Sequence, residues 1–433
     1  MSQTKAVVYI VHAVDVEGPM TETIEATFER MWSFGLPRNI EPSQKLLSLI
    51  KQGDIGLPGV KLSPAFYRCF SDHLLNYWTT WEQIDSMLLE INSERFRFKY
   101  SGSDGSPYVL SWFIYDHHEG FKNNPRYHAT GTHAIFDHYM SLFLRDNLFN
   151  DGIGWHYHHS PVNGDALGSN TSWSSMVDHE SIIARRIIER EWYFDAFRAG
   201  LHIERDDLSH WLEMYFPFDF SARYCPPGET YRPGLVFDWR GCPARWGAWH
   251  PDWYDYRRPG KMARWLFRCT DLYTYMHTLS EDEVRQAFSE ARENGNSVLV
   301  YYNHDYRDMR VEIQLGYDVI KRVHSENPDV DFRFVSATEA AQLHLGLQPK
   351  KPLISCSLEG SILNVCCDSE IFGPQPYLAV QQGSHFFRDN FTSEGNNSWS
   401  YEIQYPEETV ALGVAANSIS GAHDLKVLQL RKS

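Results

Sequence analysis

The chain predicts an α/β fold: a distorted barrel of seven or eight strands with surrounding helices, followed by a small all-β, sandwich-like domain. Three observations predict it. Apolar, β-branched runs alternate with helix-like segments over residues 1–347, which reads as a mainly parallel sheet, and seven or eight such repeats read as a barrel. Polar clusters fall at the ends of several runs, where parallel barrels keep their functional groups. After QPKKP (348–352) the pattern changes to short strands separated by Gly, Asn, Ser and Pro, with no helical periodicity, so 352–433 reads as a separate β-rich accessory domain.

The bulk properties agree. A chain of 433 residues exceeds what one hydrophobic core usually supports. Aromatics are abundant, with 14 Trp, 24 Tyr and 25 Phe, and the net charge is −16. That charge argues against nucleic acid or an anionic membrane as the main partner. The seven cysteines (Cys69, Cys225, Cys242, Cys269, Cys356, Cys366, Cys367) are odd in number and lack a CxxC pair, as expected of free thiols in a reducing compartment. The amino terminus has no basic n-region and meets Asp15 early, so it does not read as a signal peptide. No apolar stretch is long enough to span a bilayer. A cytoplasmic location is expected.

In chain order, AVVYIVHAV (6–14) is the first strand, and a Pro/Gly-interrupted insertion follows at about 20–79. Strands are expected at 108–115, 152–158, 192–197, 297–302 and 332–335, with weaker ones near 215–220 and 234–238. Helical periodicity covers 80–91, 132–146, 177–192 and 204–216. Ser280 and Glu283 form a capping box at the start of 280–294, which stops at Gly295. Ser336 and Glu339 repeat that signature before a helix ending near Leu347.

The first strand ends His12-Ala13-Val14-Asp15-Val16-Glu17-Gly18-Pro19. Side chains alternate along a strand, so Asp15 and Glu17 share a side. Two converging carboxylates repel unless a cation or a shared proton lies between them. The third strand ends in GWHYHHSP, where His156 and His158 share a face and His159 follows as the chain turns toward Pro161. Imidazoles plus one carboxylate make a common catalytic zinc set with an open position for water. Arg198 ends the fourth strand and suits a carboxylate partner, although a surface ion pair is the commoner use. His304, beside Asp305, ends the strand 297–302 and is a candidate proton donor. Asp116-His117-His118-Glu119, after the second strand, ranks below these.

In this order the motifs resemble the polysaccharide deacetylases, the NodB-homology group of carbohydrate esterase family 4. VDVEGP is similar to that family's acidic first motif and IGWHYHHSP to its histidine motif. FRAGLHIERDDLSHWLEMYFPFDFSAR (197–223), SVLVYYNHDYRD (297–308) and FRFVSATEAAQL (332–343) resemble its later motifs. The resemblance covers about 5–345 in fragments and omits the insertion and the β-rich tail. It implies metal-dependent removal of an N-acyl group, most often N-acetyl, from a sugar. Asp15 would be the general base, Arg198 its positioning partner, and His304 the general acid. Glu17 and His156 would bind a divalent metal, zinc above others, with His158 or His159. Three departures stand out: Asp15-Val16-Glu17 replaces an adjacent acidic pair, so base and ligand roles can be exchanged. Ser160 stands where the second histidine is usual, and the proline of the arginine motif is missing. Strand alternation favours His158, whereas an early turn favours His159.

The segment 238–260 is rich in Trp, Tyr and Arg. Its Trp246 and Trp249, with Trp155, Asp116, His117 and Tyr302, are the candidate substrate contacts; aromatics covering the core beneath a long loop fit equally. The expected partner is an acylated amino sugar, nucleotide-, lipid- or polysaccharide-linked, in surface-glycan biosynthesis such as O-antigen or capsule assembly. Rival readings are a sugar-binding protein on a degenerate deacetylase scaffold and a metal-dependent hydrolase of another amide, such as a formamide.

Overall fold

The computed structural model describes residues 5–53, 64–116, 133–148, 150–158, 176–204, 206–223, 225 and 239–431. Its centre is a closed barrel of seven parallel strands: β1 (Ala6–Val16), β2 (Leu110–Tyr115), β3 (Gly152–Tyr157), β4 (Ala196–Ala199), β5 (Phe218–Arg223), β7 (Trp265–Asp271) and β8 (Asn296–His304). The two-residue β6 (Ala248–Trp249) lies antiparallel on β7. Closure occurs at β1, which pairs with β8 along its length and with β2 through His12–Val16. The lower half of the same edge, Ala6–Ile10, pairs instead with β9 (Val330–Phe334).

Alternation sorts the strand side chains into two layers. Val11, Ala13, Phe113, Ala196, Phe267, Cys269, Val298 and Val300 fill the barrel interior. Val14, Val16, Trp112, Ile114, Trp155, Phe197, Leu299 and Tyr301 face the helical shell. The inward columns of β1, β3, β4 and β8 therefore end in Asp15, His156, Arg198 and His304. The capping box holds as expected: Ser280 Oγ accepts from Glu283 N, and the Glu283 carboxylate accepts from Ser280 N at 2.9 Å.

Two of the expected strands are displaced. The fourth occupies 196–199 rather than 192–197, and the fifth 218–223 rather than 215–220. The strand 265–271 escapes the sequence pattern because Arg268 interrupts its apolar run. That arginine is buried, with its guanidinium 4.0 Å from the Trp246 ring. The weak strand expected at 234–238 lies outside the described residues. The insertion is helical (Ile24–Ser33, Gln44–Gln52, Pro64–Arg68, Asp72–Leu75) around a small core that includes Phe28, Met31, Leu47, Phe66 and Phe70.

The C-terminal region comprises two four-stranded antiparallel sheets. Leu363, Val365, Leu378, Val380, Leu412 and Val414 pack between them. The alternate residues Tyr377, Ala379, Ala411 and Ala415 join the barrel's outer core. Tyr377 Oη donates to the Glu180 carbonyl at 2.7 Å, and Asn417 Nδ2 donates to the carbonyls of Phe194 and Tyr215 at 2.9 Å each. Among the described residues, no helix is long and apolar enough to cross a membrane.

Candidate active site

Strand register assembles the site. Asp15 pairs with His304 across β1 and β8, and His156 pairs with Arg198 across β3 and β4. Four inward positions on four strands thus meet at the carboxyl end of the barrel.

Just beyond β1 the chain turns at Gly18, whose φ of +72° is the left-handed region that glycine adopts without strain. Asp305 holds this turn, accepting from Glu17 N and Gly18 N at 2.9 Å each and from Tyr139 Oη at 2.7 Å. The Glu17 carboxylate is thereby aimed at the two histidines. Glu17 Oε1 lies 3.3 Å from His158 Nε2 and 3.7 Å from His156 Nε2, and the two Nε2 atoms are 3.2 Å apart. All three residues are buried and form a group able to hold a metal ion. Tetrahedral zinc with ligands at about 2.0–2.1 Å requires ligand–ligand edges of roughly 3.3 Å, so the donor set fits. His156 Nδ1 donates to the Arg198 carbonyl at 3.0 Å, which turns Nε2 toward the cluster as an outer hydrogen bond does for a metal-binding imidazole.

His158 reaches the cluster because residue 200 is glycine. A Cβ there would stand 2.3 Å from His158 Cδ2. His159 lies outside the described residues, as does His117.

Asp15 occupies the other side. Arg198 Nε donates to Asp15 Oδ1 at 2.6 Å, and its Nη1 donates to the Phe220 carbonyl at 3.0 Å. The guanidinium also stacks on Tyr302, 4.0 Å from the ring centre. Burial pushes the Asp15 carboxyl up, while Arg198 pulls in the opposite direction. His304 Nε2 lies 4.0 Å from both Asp15 Oδ2 and Glu17 Oε1.

His202 completes the support and has no counterpart in the sequence reading. Its Nδ1 donates to the Ser221 carbonyl at 3.1 Å, and its Nε2 faces Arg198 Nη2 at 3.4 Å. Burial, then Arg198 and Arg223, drive its pKa well below the usual histidine value, so a neutral ring accepts from the guanidinium. Leu201 and His202 both take positive φ, 55° and 54°, a conformation non-glycine residues seldom hold outside sites that over-determine it. Its signal was the spacing of four from Arg198 within FRAGLH.

The candidate substrate contacts divide. Tyr302 lines the cavity above the cluster, and its Oη donates to Asp271 Oδ1 at 2.5 Å. Trp155 does not: strand alternation sends it outward into the core against Trp211 and Phe216. Asp116 is buried in an ion pair with Arg186. Trp246 packs against Arg268 and Trp249 against Trp239, both buried. Trp246 and Trp249 therefore cover the core, whereas Trp253 and Tyr254 of the same segment are exposed.

A cavity of about 420 Å³ opens over these groups. Its floor includes Asp15, Glu17, His156, His158, Arg198 and His304. Fold and site together define a (β/α) barrel whose carboxyl end carries a histidine–histidine–carboxylate cluster beside an arginine-bound aspartate.

No protein-family model and no curated protein matches the sequence. Among solved structures the chain is similar to a "putative polysaccharide deacetylase" from Mycobacterium smegmatis, at 12% identity and a TM-score of 0.34, over 83% of this chain and 97% of that one. It is also similar to a double mutant of the Cellulomonas fimi endo-beta-1,4-mannanase, at 9% identity and a TM-score of 0.20, over 97% and 93%. At such distances the reading of the site rests on the chain's own geometry.

Proposed function

We propose that the protein is a metal-dependent amide hydrolase that removes an N-acyl group, acetyl above others, from an amino sugar in bacterial surface-glycan biosynthesis, acting in the cytoplasm. One observation carries the chemistry: a Glu17–His156–His158 triangle with edges of 3.2–3.7 Å stands beside Asp15 and His304. The sugar and its biosynthetic setting are supported by the ordered motif resemblance.

Glu17, His156 and His158 would hold the zinc, which would supply Lewis-acid chemistry for polarising the acyl carbonyl and acidifying a water. Asp15 is the general base. Arg198 occupies its Oδ1, so Oδ2 is the oxygen that takes the proton from the attacking water. Its burial favours that proton transfer. His304 is the general acid. Arg307 Nη2 lies 3.4 Å from His304 Nδ1, and Nε2 is the ring nitrogen from which the imidazolium delivers its proton to the departing nitrogen, leaving a neutral imidazole. Nε2 is also the atom that faces the two carboxylates. Zinc-dependent acetate release from a panel of N-acetylated amino sugars tests this reading; sugar binding without metal or turnover would replace it with the lectin-like alternative.

A further inference from the structure

The insertion between β1 and β2 forms one wall of the cavity, its roof. Ala26, Arg30, Leu74 and Tyr77 line it from above, opposite the catalytic floor. This roof is tied down at several points. Met20 N donates to the Trp78 carbonyl at 2.9 Å, and Trp78 N donates to the Tyr306 carbonyl at 2.8 Å, beyond β8. Arg68 donates to the carbonyls of Thr274, Tyr275 and Met276 at 3.1–3.3 Å, in the loop after β7. His73 Nε2 meets Glu312 Oε1 at 2.7 Å. Lifting the roof would break these bonds and uncover Tyr275, which packs against the insertion's apolar core.

The space beneath this wall is small. About 420 Å³ is near the lower end of the roughly 300–1,000 Å³ of small-molecule pockets. Its upper walls are aromatic: the Tyr77 and Tyr306 rings lie 5.5 Å apart at 36°, and Tyr275 packs beside Arg30. Phenol rings offer an apolar face and a hydroxyl, which suits the faces and edges of a sugar ring. Arg30 is held by both oxygens of Glu22, so the roof presents a neutralised pair rather than an excess positive charge. An internal residue of a polymer must continue out of a site on two sides. The roof, tied across the loops after β7 and β8, shuts the side it spans.

We infer that this pocket takes an amino sugar as a single residue, free or at a chain end, and excludes internal residues of a polymer; the inference rests on the hydrolase reading above. The test uses the zinc-loaded full chain with N-acetylated gluco-, galacto- and mannosamine and with β-linked hexamers of the same sugars. Acetate release and the mass of each hexamer fragment are measured. Turnover of a monosaccharide, with hexamers untouched or deacetylated only at an end, is expected. Deacetylation at internal positions overturns the inference and leaves the hydrolase reading intact. No acetate from either set overturns both. Ala26→Trp, which fills the roof side, should raise KM for the monosaccharide at least tenfold with zinc content and kcat retained; an unchanged KM would contradict the roof as a substrate wall.

Discussion

Arg198 Nε donates to Oδ1 of Asp15 at 2.6 Å, so that only Oδ2 of this carboxylate faces His304. The two oxygens of one side chain thereby face different partners. The division is imposed from β4, and Tyr302 and His202 immobilise the guanidinium that imposes it. Asp15→Asn keeps the size and removes the proposed base. It should lower kcat by about 10²–10⁴-fold while zinc content and the circular dichroism spectrum stay as in the parent. His304→Ala should do the same. Turnover like the parent's in both variants would end the acid–base assignment.

The two histidine candidates are separable. His158 Nε2 stands 3.3 Å from Glu17 Oε1. His158→Ala should abolish stoichiometric zinc, and His159→Ala should leave it close to one per chain, as read by atomic emission on dialysed protein. Equal, small losses in both would mean the ligand set is wrong.

Gly200 provides a subtler probe of the same ligand. A methyl group there would overlap His158, with approaches of 2.3 Å to Cδ2 and 2.8 Å to Nε2. Gly200→Ala should displace the ring and weaken zinc affinity by about 10–100-fold, the usual cost of disturbing a ligand's support. Competition with a chromogenic chelator measures it, and an unchanged affinity would show that His158 is not held by this contact.

His12, under the helical shell, gives a pH dependence that is independent of the metal. Its ring nitrogens meet Tyr108 Oη and Asn303 Oδ1 at 2.8 Å each. Burial holds its pKa down, to about 4. An unfolded histidine titrates near 6.5, so between those values the unfolded chain binds the extra proton. The contribution to stability is complete above about pH 6.5 and shrinks as pH falls toward 4, by up to about 3 kcal/mol. In urea titrations, the stability difference between the parent and His12→Gln should narrow across that interval. A difference that does not vary with pH would contradict a neutral, buried His12.

The barrel was legible because its chemistry repeats. Strands such as 297–302 are continuous apolar runs buried on both faces, and helices such as 280–294 carry their caps in the sequence. β7 was not legible, because its outward face buries Arg268 against Trp246 and a buried guanidinium reads as a surface residue. The insertion's fold was equally hidden, since its helices are short and its apolar residues serve a local core.

At the site, alternation alone brought Asp15, Glu17, His156 and His158 to one side, and they do converge. Alternation also shows why Trp155 fails as a substrate contact: it precedes an inward histidine and so points out. Asp305, beside the candidate proton donor, accepts the backbone hydrogen bonds of the Glu17–Gly18 turn. That role depends on contacts 288 and 287 residues apart, which local pattern does not report.

The proposed hydrolysis depends on a metal held by the Glu17–His156–His158 cluster. The most direct measurement is acetate release from N-acetylated amino sugars by the full chain, before chelation, after chelation and after zinc is returned, alongside metal content in the parent and in His156→Ala. One zinc per chain, activity lost on chelation and regained with zinc, and no metal in His156→Ala are the predicted results. Full activity in the chelated protein, or an unchanged zinc content in His156→Ala, would contradict the account.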